Sequence, residues 1–210
     1  MIESGLLWLY FITVLGVIAL PGMDMAFVLG SSIGGGRTAG LAAVAGLVAG
    51  GIGHMLLGAT GLGIVLQLLP AALNVMLLAG AVYIAWIGWR LLRASSAAGL
   101  TLATGSRTHL QSFFGAMTTC LLNPKAYMFM LAIFPQFVRT EHGSIWAQAS
   151  VLALITACTQ IAVYGGVALA AARAAVNLNS RPELQVWLTR SVGATLLAAA
   201  AFTTWSGLAI

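Results

Sequence analysis

Charge is what this chain has least of. Four acids and nine lysines plus arginines make up 6% of its 210 residues, while 60% are hydrophobic and the mean hydropathy is +1.01. A soluble domain carries about a quarter charged residues, so a water-facing surface cannot be assembled from this set. Cysteine is almost as scarce. Cys120 and Cys158 form no CxxC pair and both fall in apolar stretches. That excludes a disulfide framework and predicts two small, buried apolar side chains. HExxH, GxSxG and Cys/His clusters at metal-ligand spacing are absent as well, so no catalytic residue, metal site or cofactor is assigned and the chain does not read as an enzyme. The run Gly34-Gly35-Gly36-Arg37 lacks the spacing and the trailing Lys-Ser/Thr of a phosphate loop. The net charge of +5 comes with no basic cluster interleaved with aromatics, which argues against nucleic acid as a partner.

What is present is a succession of long apolar stretches. A spanning helix needs about 20 apolar residues, and six stretches qualify, at 6–29, 41–68, 71–91, 113–134, 145–172 and 192–208. The linkers between them (31–38, a tight turn at Pro70, 93–110, 136–144 and 173–190) leave no room for a second domain, so residues 1–210 read as a single transmembrane unit. The opening Met1-Ile2-Glu3-Ser4 has no basic n-region, and the first stretch reads as a span rather than a signal peptide. Arg37, Arg90, Arg93, Arg107, Arg173, Arg181 and Arg190 lie on the side reached after the first, third and fifth stretches, and Arg139 lies on the other. Positive residues mark cytoplasmic loops, so both termini are expected outside. Trp8, Trp86, Trp89, Trp146, Trp187 and Trp205 fall near stretch ends, where interfacial aromatic belts form.

Two of the stretches are interrupted. Pro21, Gly22 and Asp24 sit inside the first, and Asn123, Pro124 and Lys125 inside the fourth. Proline removes a backbone donor and clashes with the preceding turn, so a helix bends or breaks there. Broken backbone survives at membrane depth only against protein or a water-filled cavity. Paired interruptions, one per half, point to a transporter's substrate site. Three stretches per half, entering from opposite sides, would relate the halves as an inverted-topology repeat.

The second stretch repeats small residues every four positions: Ala42, Gly46, Gly50, His54 and Gly58. This spacing predicts close approach of another helix. His54, on that face, reads either as an interhelical hydrogen-bonder or as a proton relay. Asp24 and Lys125 are the only acid and the only lysine inside any predicted span. Each costs about 2.5–3.5 kcal/mol to insert at a helix centre, so both must face the bundle interior and find partners. They read as a structural ion pair or as groups that touch substrate and a coupling proton, with Asp24 the site of proton exchange.

The motifs Pro21-Gly22-Met23-Asp24, Gly36-Arg37-Thr38-Ala39-Gly40-Leu41, Leu122-Asn123-Pro124-Lys125-Ala126 and Phe134-Pro135-Gln136-Phe137 resemble those of the lysine exporter/homoserine–threonine resistance (LysE/RhtB) family over essentially the full length. Met23 stands where that family's first motif has a second proline. The resemblance implies export of amino acids or close derivatives from the bacterial cytoplasm, driven by the proton motive force, with no bound cofactor.

The expectation is therefore an all-α integral-membrane transporter of the bacterial inner membrane, built of six transmembrane helices as two inverted three-helix halves. Its substrate and coupling residues are Pro21, Gly22, Asp24, His54, Asn123, Pro124 and Lys125. Its partners are an amino acid, protons and the lipid bilayer, with a homo-oligomer left open. The rival is a small-ion or metal-ion permease or channel on a similar scaffold, which needs several acids or histidines converging at midplane, where this sequence offers Asp24 and His54.

Overall fold

The computed structural model describes residues 3–20, 22–60, 108–139 and 142–178, with isolated positions between 78 and 93 and between 183 and 204. The described elements are helical: α1 (Ser4–Ala19), α2 (Met23–Ala59), α3 (His109–Leu121), α4 (Pro124–Met128), a π-helical turn (Phe129–Ile133), α5 (Phe134–Phe137) and α6 (Ile145–Leu178). Most of the third and sixth predicted spans, together with Pro21, Pro70 and Trp205, lies outside the described residues.

The first predicted span breaks where proline demands it. α1 ends at Ala19, Leu20 is extended (φ −62°, ψ 124°), and α2 restarts at Met23. The 31–38 linker is a correction. Helix runs through Ser31 and Ser32, both buried, and leaves helical geometry only at Gly36 (φ 74°, ψ −170°), a left-handed conformation that favours glycine. The chain folds back at this corner. Ser32 packs against the backbone of Gly40, whereas residues eight apart on a straight helix are separated by ~12 Å. Gly36 thus divides α2 into two arms.

α3 opens with a reciprocal cap: the Thr108 hydroxyl accepts from the Gln111 N–H (3.3 Å) and the Gln111 side chain accepts from the Thr108 N–H (3.1 Å). It stops before Pro124. Asn123 then caps α4, its Oδ1 accepting from the Lys125 N–H at 3.0 Å, with Pro124 at the first helical position where its missing donor costs nothing. Pro135 has no N–H for the carbonyl of Leu131, and the π-helical turn absorbs the mismatch: the Phe134 N–H bonds back to the Phe129 carbonyl, five residues away. The turn before α6 is tied by Gln148, which accepts from the Arg139 N–H and donates to the carbonyls of Arg139 (2.7 Å) and Gly143 (3.0 Å).

α2 packs on α3 and α6, and α1 packs on α6. The shared core includes Tyr10, Val14, Phe27, Leu47, Phe134 and Leu152. The outer faces are as apolar as the core: Ile12 is 61% exposed, Met128 64% and Leu154 65%. A helix hydrophobic all round belongs in a large core or a membrane, and these exposed faces make lipid the matching solvent. α6 is long and apolar enough to cross a bilayer, and α2 meets the same measure when its two arms are counted together. Trp8 and Trp146 lie exposed within the first two turns of α1 and α6, as an aromatic belt requires. Cys120 is buried, but Cys158 is exposed on α6 and corrects the expectation that both are buried.

Candidate substrate cavity

The small-residue stripe does what its spacing predicts. An added Cβ on Gly46 would strike the carbonyl of Phe113. On Gly50 it would lie 2.7 Å from Cys120 Cβ, and on Gly58 2.9 Å from the Phe134 ring. Glycine here lets α2 lie directly on α3 and α5, the close packing that replaces hydrophobic drive between helices in lipid.

That approach brings His54 to the second interruption. Its Nε2 lies 3.0 Å from the Cys120 carbonyl, and its ring meets Tyr127 edge-on at 4.7 Å. Cys120 is four residues before Pro124, so its carbonyl is the one whose α-helical donor proline lacks. It takes the Asn123 N–H at 3.0 Å instead, and His54 supplies a second donor. The first interruption is treated likewise from the other side. Lys125 Nζ donates to the carbonyls of Val17 (3.0 Å) and Leu20 (3.1 Å), and Val17 is four residues before Pro21. A cation at the carbonyl end of α1 also complements its dipole. Gly22 lies next to this lysine: a Cβ there would stand 3.4 Å from Nζ, an ordinary contact.

Asp24 is 4% exposed, in the first turn of α2. Lys125 and Asn123 are its electrostatic neighbours. The direct ion pair expected between Asp24 and Lys125 is not among the contacts the described residues make. The ammonium is held on backbone carbonyls instead, and neither Asp24 Oδ1 nor Asn123 Nδ2, both buried, makes a hydrogen bond among the described residues.

Asp24, His54 and Lys125 line one cavity of about 50 Å³, together with Gly51, Cys120, Phe129, Thr156, Gln160 and Tyr164. A water needs about 10–15 Å³ by this measure, so the space holds a few waters or one polar head group in this conformation. Sequence reasoning missed the α6 wall. Thr156, Gln160 and Tyr164 recur every four residues and share one face, and that polar stripe within an apolar span was the available signal. Thr156 also receives Tyr10 of α1, with 2.8 Å between the hydroxyls. Of the expected site residues, Gly22, Asp24, His54, Asn123 and Lys125 are thus gathered at or beside the cavity. Pro124 opens α4 next to them, and Pro21 is outside the described residues.

An apolar-faced helical bundle with two broken segments around a small cavity, in which a few polar side chains stand among apolar ones, is the architecture of a membrane translocator. Residues 15–207 match the family described as LysE type translocator, and the chain belongs to that family of amino-acid efflux transporters. It is similar to the homoserine/homoserine lactone efflux protein of Salmonella typhimurium, 28% identical over 177 residues covering 84% of this chain and 85% of the relative. It is also similar to the leucine efflux protein of an Enterobacter species, 30% identical over 142 residues covering 65% and 66%. An uncharacterized membrane protein of Pseudomonas aeruginosa is 31% identical over 195 residues, 89% of each chain. No solved structure matches significantly.

Proposed function

We propose that this protein is a secondary transporter that exports an amino acid or close derivative across the bacterial inner membrane, driven by the proton motive force. The reading includes six spans as two inverted three-helix halves, with both termini outside. Its chief support is one observation: residues from both interruptions, Asp24 and Lys125, line the same cavity.

The donors of the site suit a carboxylate. Two of the N–H groups of Lys125 Nζ are directed at Val17 and Leu20, which leaves a third for substrate, and Asn123 Nδ2, beside Asp24, is a second buried donor. The Asp24 carboxyl is the proton carrier. A buried carboxylate without a direct cationic contact is neutralised by protonation at far lower cost than it is carried charged across a dry site. Proton entry from outside and substrate exit would then alternate at one centre. The rival permease reading needs more acids and histidines than the lining offers, where Asp24 and His54 stand one of each.

The test is flux in sealed vesicles loaded with leucine or homoserine. Uphill efflux that collapses with a protonophore supports the proposal, and efflux indifferent to the protonophore removes the proton motive force from it.

A further inference from the structure

Residues of three parts of the fold line the same small cavity and each brings a buried acceptor atom for which no hydrogen bond is made among the described residues, although the Asn123 amide stands beside Asp24. These atoms are Asp24 Oδ1 from the first arm of α2, His54 Nδ1 from the second arm and Gln160 Oε1 from α6. Their residues are 4%, 2% and 6% exposed. The tautomer of His54 follows from its neighbour. A carbonyl only accepts, so the Nε2 placed 3.0 Å from the Cys120 oxygen carries the proton. In the neutral imidazole Nδ1 is then a bare acceptor. Lys125 makes no hydrogen bond to these atoms among the described residues; its ammonium is placed on the carbonyls of Val17 and Leu20.

A buried acceptor left unmatched is costly, and three around one cavity call for a group rich in donors. A primary ammonium has three N–H donors and no lone pair to set against an acceptor, whereas a hydroxyl has one donor and two lone pairs. A quaternary ammonium has no N–H at all. Glycine at position 51 belongs to the same arrangement, since a Cβ there would lie 2.9 Å from Gln160 Oε1 and push it aside.

We propose that Asp24, His54 and Gln160 form a binding site for a primary ammonium group. On the export reading above, this is the α-ammonium of the transported amino acid. Gln160 is then a specificity-determining residue that selects amino acids over hydroxy acids and N-permethylated analogues. Because Asp24 serves both proton and ammonium, the two compete for one carboxylate, which ties substrate release to protonation.

The experiment measures binding to purified full-length protein in detergent by calorimetry, with four probes of one side-chain shape: L-leucine, isopentylamine, 2-hydroxy-4-methylpentanoate and N,N,N-trimethylleucine. Leucine and isopentylamine are expected to bind, with the hydroxy acid and the trimethyl compound at least tenfold weaker than leucine. Gln160→Leu should weaken leucine and isopentylamine about tenfold and leave the hydroxy acid unchanged. Gly51→Ala, which displaces Gln160 without removing it, should act in the same direction and covers the case in which Gln160→Leu fails to fold. Equal affinity for leucine and its hydroxy acid, or an equal loss for every probe in both variants, overturns the site. So does a response to Mg²⁺ or Zn²⁺ with none to the amine. Isopentylamine binding in a protein that effluxes no amino acid would sink the export reading and leave the ammonium site standing. Efflux with no preference for the ammonium would do the reverse.

Discussion

Lys125 Nζ donates a 3.0 Å hydrogen bond to the carbonyl of Val17, the carbonyl that Pro21 cannot serve. His54 does the same for Cys120, the carbonyl that Pro124 cannot serve, also at 3.0 Å. Each break in the backbone is therefore stabilised by a side chain from the opposite half of the sequence. The two halves interlock through the defects that open the cavity, and any movement that separates them exposes both carbonyls. A transporter that alternates its access has a reason to use such contacts, since each is a single bond that can be exchanged for water or substrate.

Replacing Lys125 with Met should leave the Val17 carbonyl without its side-chain donor, at a cost of about 1–3 kcal/mol for a buried acceptor. Asp24→Asn should disturb assembly less, because Asp24 holds no direct bond to Lys125. Melting of the purified variants in detergent checks the order. A lower melting temperature for Asp24→Asn than for Lys125→Met would restore the simple ion pair.

His54→Gln keeps a donor for the Cys120 carbonyl, and His54→Leu removes it. The leucine variant should be less stable by about 1–3 kcal/mol, read as the difference between the two melting curves. A His54→Gln protein that folds normally yet moves amino acid without protons would make His54 a relay as well as a cap.

Gly46→Ala drives a methyl group into the Phe113 carbonyl, and backbone cannot step aside. Overpacking of this kind costs about 1–3 kcal/mol. Gly16→Ala meets nothing within 4 Å, on a helix, and should be neutral or stabilising by up to about 1 kcal/mol. Yields and melting temperatures of the pair separate packing from helix propensity.

The interruptions and the stripe were legible because proline and glycine act through the backbone, which obeys local rules. Asp24, His54 and Lys125 were legible because titratable groups in apolar spans are too costly to be incidental. That Asp24 and Lys125 would not pair directly was not legible. Sequence shows two opposite charges, but it does not show that an orphaned carbonyl at Val17 lies within reach of the ammonium. Gln160 was missed because uncharged polar residues in helices commonly satisfy themselves, as Thr159 does by donating to the Ile155 carbonyl at 2.7 Å. The 31–38 segment looked like a loop because serine and glycine are poor helix formers. The helix nevertheless continues to Gly36, with Ser32 buried and its hydroxyl satisfied by the Val28 carbonyl (2.7 Å).

Orientation is checked by reporter fusions. A fusion within 93–110 should report from the cytoplasm and one after Ile210 from outside, and the opposite result would invert the arginine argument.

Whether Asp24 carries the proton is decided by measuring proton movement alongside amino-acid movement. Proteoliposomes carrying an internal pH dye are given an outward leucine or homoserine gradient at zero membrane potential. The wild-type protein should acidify the lumen as amino acid leaves, and Asp24→Asn should abolish this acidification even where some downhill efflux remains. Acidification of undiminished size per amino acid exported by Asp24→Asn would contradict that role of Asp24.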